Sequence, residues 1–377
     1  MRLLVATAAL AIAAGGVVSS APAVAAAPAL HLPGPTGRHP VGVTSLYLKD
    51  TSRPDPWVPA EPARELMVSV FYPAAPSSAP TKQYMTPLES ERHLVRQEIP
   101  DLPLDIMSTV RTNARVDARP VGRRHSLPLV VLSPGFTNPR ATLSSLAEDL
   151  ASDGYVVAVV DHTYENRATT FPDGRVPDCA ACEVDHLPGF WEKLAQGRAA
   201  DVSFVLDELT GRHPAWHGAR LIDPRHIGMA GHSAGGASTI QAMLADRRIR
   251  AGIDIDGSTH VPIPETGLSR PFMFMGSMDE YTPGAPGPYE DWEKDWLRLT
   301  GWKRWVMVTG TVHPSFTDLG VLASQLGIDL GATIDAERAL GVTRAYVRAF
   351  FDQHLRHTPR ALMAGPSARY PEVTFIG

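Results

Sequence analysis

Cysteine is scarce: the 377-residue chain holds two, Cys179 and Cys182, in the stretch "PDCAACEVD". A zinc centre would need more ligands than this pair supplies, and Asp178 and His186 nearby do not change the expectation of no metal. A redox-active pair would open a helix after a strand, and Pro177 and its loop neighbours argue against that. Charge of one sign is also missing. The formal net charge is −5 with no basic block, so no nucleic-acid partner is expected. Beyond the N-terminus no run of 18 apolar residues occurs, which leaves membrane contact at most peripheral. There is no internal repeat. What remains, 44% hydrophobic and 20% charged residues, is the composition of a soluble globular protein.

The N-terminus does carry a pattern. Arg2 precedes the apolar run Leu3–Ala14, then Gly15-Gly16, and small residues end in Ala23-Val24-Ala25. This reads as a secretory signal peptide over residues 1–25, and the run is shorter than a spanning helix requires. A Pro/Gly-rich arm, 26–40, and one catalytic domain, 41–377, are expected to follow. In an exported protein Cys179 and Cys182 are expected to form a small loop-closing disulfide.

Two stretches near the start, "VGVTSLYLKD" and "RELMVSVFYPA", alternate as strands and are expected to pair antiparallel at one edge. The pattern then changes. "LPLVVLSPG", "YVVAVVDH", "HIGMAG", "IRAGIDIDGS", "RPFMFMGSMDE" and "KRWVMVTG" are short apolar runs of the kind buried on both faces of a sheet. Between and after them, "ATLSSLAEDLASDG", "LAQGRAADVSFVLDELTG", "AGGASTIQAMLAD" and "DAERALGVTRAYVRAFFDQHL" have helical spacing. Strands alternating with helices predict an α/β fold with a mostly parallel central sheet.

One strand–helix junction stands out: Gly231-His232-Ser233-Ala234-Gly235. A strand that reverses into a helix within a few residues strains its corner residue, and small neighbours avoid the clashes. The corner side chain then stands exposed above the sheet at a helix N-terminus, whose free N–H groups favour negative charge. Ser233 is thus placed as a nucleophile and the Ala234 N–H as an oxyanion donor. A base is needed next. His354 and His357 fall on or past an amphipathic helix, and His260 follows the next strand too soon. His313 lies where a strand gives way to a loop, the place for a base. For the orienting acid, Asp254 and Asp256 end one strand and Asp279 ends the next, with Asp256 nearer the carboxyl edge where ligand sites gather. In "LSPGFTNPR", Gly135 lets the backbone approach closely and the Phe136 N–H is the candidate second donor.

With these residues placed, the chain resembles the platelet-activating-factor acetylhydrolases of the plasma and type II kind and their bacterial secreted lipase-like relatives, which have the α/β-hydrolase fold. The likeness rests on "LVVLSPGFTNPRATLSSLAEDLASDGYVVAVVDH", "IGMAGHSAGGASTIQAML", "DRRIRAGIDID" and "VTGTVHPSFTDL". It implies Ser233 as nucleophile, Asp256 as acid and His313 as base, with Phe136 and Ala234 as oxyanion donors. Relatives carry His-Gly where this chain has Pro134-Gly135. The expected activity is serine-dependent hydrolysis of carboxylic esters without a cofactor, on a small-molecule or lipid ester. A polyester hydrolase of the cutinase kind and an inactive binding protein of the same fold are the alternatives. Only "GSTHVPIPETGLSR" separates Asp256 from the next strand, too short for a large lid, so an open cleft is expected. His162, Tyr164, the Cys179–Cys182 loop and the segment around Trp292 and Trp296 are candidates for its walls.

Overall fold

The computed structural model describes residues 29–97, 102–281, 283 and 289–377. The expected signal peptide lies outside them. The strands are β1 (Val41–Asp50), β2 (Arg64–Pro73), β3 (Arg115–Val116), β4 (Leu127–Ser133), β5 (Val156–His162), β6 (Ile222–His232), β7 (Ile249–Ile255), β8 (Phe272–Ser277), β9 (Lys303–Val308) and β10 (Val373–Ile376). The helices are α1 (Pro87–Gln97), α2 (Ser144–Ser152), α3 (Phe190–Thr210), α4 (Ala234–Ala245), α5 (Met278–Tyr281), α6 (Tyr289–Arg298), α7 (Asp318–Gln325) and α8 (Ala336–Leu355).

All ten strands join one sheet in the order β10-β9-β8-β7-β6-β4-β5-β2-β1-β3. The six from β9 to β5 run parallel, and β10, β2 and β1 are each antiparallel to a neighbour. This is the α/β-hydrolase fold. The expected β1–β2 pair is present, with the two-residue β3 added outside it.

Near-continuous apolar strands follow from burial on both faces. In β4, Leu129 and Val131 join a core with α3 and α4, and Val130 and Leu132 join another with α2 and α8. The site lies at the carboxyl ends of β4, β5, β6 and β7, where these two layers of helices leave the strand ends open.

Candidate active site

Ser233 is the corner between β6 and α4, at φ 55° and ψ −126°. Its own N–H donates to the Ile255 carbonyl at 2.8 Å, and its carbonyl accepts from the Ala237 N–H at 3.0 Å. The flanking glycines are required by contact. A Cβ on Gly231 would lie 2.1 Å from the Gly235 backbone, and one on Gly235 would lie 2.0 Å from the Ser133 carbonyl oxygen.

Asp256 follows β7, also at positive φ, 57°. It is fully buried. Its Oδ1 accepts from the Ser277 N–H at 2.7 Å and its Oδ2 from His313 Nδ1–H at 2.6 Å. That bond fixes the tautomer of His313 and leaves Nε2 as its base. Burial works against charge on His313, but the hydrogen bond and charge of Asp256 outweigh it, and its pKa is raised above the ordinary histidine value. His232, buried beside it, donates from Nε2 to the His313 carbonyl at 2.9 Å. Burial, then the neighbouring His313, push the His232 pKa well down, so it stays neutral. His232, Asp256 and His313 offer donor atoms within 4.8 Å of one another, a closeness these two hydrogen bonds account for.

Asp254 is separated from this arrangement. Its Oδ1 would lie 2.0 Å from a Cβ on Gly236, so it packs under the nucleophile helix. Burial, then the charge of Asp256, hold its carboxyl well above the usual range. Asp279 is the second residue of α5, and its side chain lies outside the described residues.

The oxyanion loop follows β4. A Cβ on Gly135 would sit 3.3 Å from the Ser233 Cβ, so the loop passes directly beside the nucleophile's side chain. Among the described residues, no acceptor takes up the Phe136 or the Ala234 N–H. Phe136, Phe190 and Trp191 pack edge to face with centroids 5.0–5.6 Å apart, and Trp191 stacks on His260 at 4.8 Å. The same cluster takes in Ala234, Trp57 and both cysteines, which are joined by a disulfide. One wall of the site is therefore aromatic. His260, set aside as a base, belongs to it.

His162 does not line the cleft, contrary to expectation. It is buried, with Nε2 at 3.0 Å from Ser133 Oγ and Nδ1 at 2.8 Å from Asp201 Oδ2. Tyr164 is half-buried at φ 65°, and the charges around it are Glu61, Asp55, Arg175 and Glu65. Trp292 is fully buried, stacked between Tyr281 and Phe274. Sequence reading missed Arg198, Asp201, Glu165 and Arg64, which surround His162. The signal was charge on otherwise apolar stretches, as in "GRAADVSFVL".

Ser133, His162 and Asp201 thus form a second serine–histidine–aspartate line with the connectivity of a triad. Its serine is completely buried within β4, and its Oγ also accepts from Arg198 Nη1 at 3.2 Å. Ser233 is half-buried and opens beside the oxyanion loop.

Fold and site are those of an α/β-hydrolase of the serine ester hydrolase class. The family described as "Platelet-activating factor acetylhydrolase, isoform II" matches residues 24–179 and 219–360, and the chain belongs to it. A probable 1-alkyl-2-acetylglycerophosphocholine esterase from Arthroderma benhamiae is 28% identical over 92% of this chain and 93% of its own. The platelet-activating factor acetylhydrolase of Bos taurus is 27% identical over 60% of this chain and 57% of its own. A solved ferulic acid esterase from Streptomyces cinnamoneus is 42% identical, with a TM-score of 0.81 over 93% of this chain and 100% of that one.

Proposed function

We propose that this chain is a secreted carboxylic-ester hydrolase that works through an acyl-enzyme on Ser233. The observation that carries the reading is the strained corner at Ser233 combined with the 2.6 Å Asp256–His313 bond. His313 Nε2 takes the serine proton as Oγ attacks the ester carbonyl, and the Phe136 and Ala234 N–H groups receive the oxyanion. His313 then returns the proton to the leaving alcohol. Water, deprotonated by the same nitrogen, attacks the acyl-enzyme, His313 passes that proton to Ser233 Oγ as its bond to the acyl carbon breaks, and the acid departs. Asp256 holds the imidazole and stabilises its charged form throughout. Export is supported by the N-terminal apolar pattern and the Cys179–Cys182 disulfide. No described helix is long and apolar enough to cross a membrane.

The substrate reading is an accessible acyl ester, since the Asp256-to-β8 segment is too short to build a large lid. A second reading, an ester with a planar aromatic acyl group, is favoured by the Phe136–Trp191–His260 wall and by the relative that acts on ferulic acid esters. A rate series on nitrophenyl esters from acetate to palmitate, with methyl ferulate alongside, separates the readings. A peak at short chains supports the first, preference for ferulate the second, and full activity on palmitate contradicts a short acyl site. Turnover of no ester by folded protein favours the inactive binding protein.

A further inference from the structure

The residues around His162 do more than fill space. Arg198 and Glu165 form an ion pair, Nε to Oε2 at 2.7 Å, with both side chains about 2% exposed or less. Each partner also holds one side of the oxyanion loop. Arg198 Nη1 donates to the Pro134 carbonyl at 2.5 Å. The backbone carbonyl of Glu165 accepts the Thr137 N–H at 3.0 Å. Phe136 lies between those two anchors. Thr137 is at φ 68°, a conformation that persists only where the surroundings impose it.

Behind the pair runs a chain of hydrogen bonds whose direction is fixed. Arg198 N–H donates to Ser133 Oγ, the Ser133 hydroxyl to His162 Nε2, and His162 Nδ1–H to Asp201 Oδ2. Arg64 grips Asp201 with Nε and Nη2 at 3.1 and 2.8 Å, and Arg53 adds a third bond at 2.7 Å. Arg64 also donates to Asp55 and to the Thr163 carbonyl. The hydroxyl proton and an acceptor site of Ser133 are both taken, so this serine is part of a scaffold.

We infer that Arg198 is a positioning residue for the oxyanion hole: through its bonds to Pro134, Ser133 and Glu165 it holds the Phe136 N–H where the oxyanion forms. The inference rests on Ser233 being the nucleophile and Phe136 a donor. It makes the Ser133–His162–Asp201 line a brace for the catalytic loop.

A donor aimed at the oxyanion acts in the transition state, so its misplacement lowers kcat and leaves KM nearly alone. The test compares wild type, Arg198→Met, Arg198→Lys and Ser133→Ala on nitrophenyl acetate, with thermal melting and the affinity of a phenylboronic acid as further readouts. Arg198→Met is expected to lower kcat about 10²-fold, the typical loss for one oxyanion donor, with KM within about twofold. Boronate affinity is expected to fall by a similar factor, and Arg198→Lys to recover roughly tenfold of the lost rate. Ser133→Ala, which removes no charge, is expected to lower kcat several-fold and weaken the boronate in step. Unchanged kcat in folded Arg198→Met overturns the inference, as does a loss carried by KM or one that leaves boronate affinity intact. If Arg198→Met does not fold, Ser133→Ala decides by the same two readouts. Failure of the underlying assignment looks different: wild type itself is then not labelled at Ser233 by an organophosphonate.

Discussion

Ser233 tolerates a backbone conformation that L-residues avoid because Gly231 and Gly235 let the turn close around it. This was legible: the glycine spacing at a strand–helix junction has one mechanical use. His313 was legible too, from its place after β9. Alternation alone does not choose among Asp254, Asp256 and Asp279, because along β7 it puts Asp254 and Asp256 on the same side; the family resemblance singles out Asp256. In the structure the turn at Asp256 and its bond to His313 separate them. His162 was misread because it ends a strand at the ligand-binding edge, yet it points into a buried ion cluster. Ser233→Ala is expected to reduce kcat by about 10⁶-fold, measured on nitrophenyl acetate. Asp256→Asn is expected to cost on the order of 10⁴-fold, through loss of the correct tautomer. The pH profile of kcat/KM checks the electrostatics. His313 must be neutral to act, and its raised pKa places the acid limb above the ordinary histidine value of 6.5. In Asp256→Asn the hydrogen bond to the carboxylate and its charge, the larger of the raising interactions, are gone while burial remains, so the limb is expected to move downward. An unmoved limb would show that His313 does not titrate against Asp256.

At the scale of elements, the parallel strands read well because burial on both faces leaves continuous apolar runs. Short or polar elements read poorly. β10 has four residues after a long loop, and α7 follows Pro314 within a stretch that looked like a turn. α3 starts at Phe190, four residues before the apparent helical pattern, because Gly189 at φ 77° supplies the turn. Those extra residues matter, since Phe190 and Trp191 build the aromatic wall. Two glycines test how tightly elements meet. Gly235→Ala drives a methyl into the Ser133 carbonyl, 2.0 Å away, and is expected to cost about 1–3 kcal/mol of stability along with activity. Gly341→Ala, inside α8 with nothing beyond its own helix backbone within 4 Å of the new methyl, is expected to gain about 0.5–1 kcal/mol. Urea unfolding of both variants measures the contrast, and equal effects would contradict the packing of α4 against β4.

For the whole molecule, the sheet order could be outlined from alternation of strands and helices, but the buried charges could not. Buried histidines link stability to pH. His93, in α1, is 3% exposed, and burial pushes its pKa down to about 4. The unfolded chain takes up its proton near the ordinary value while the folded protein does not. The stability from neutral His93 is therefore fully present above about pH 6.5 and declines as pH falls toward 4, by roughly 3 kcal/mol. His93→Leu removes this term, so variant and wild-type urea midpoints are expected to diverge, in favour of the variant, between pH 7 and pH 4. Parallel curves would show that His93 takes up its proton as readily in the folded protein as in the unfolded chain.

Two serine–histidine–aspartate lines run through the same structure, and which serine reacts separates the catalytic line from the brace. Treatment with a fluorophosphonate, followed by peptide mass mapping, asks this directly. One adduct is expected, on the peptide containing Ser233, abolished in Ser233→Ala and retained in Ser133→Ala. An adduct on Ser133, or labelling that survives Ser233→Ala, would contradict Ser233 as the nucleophile.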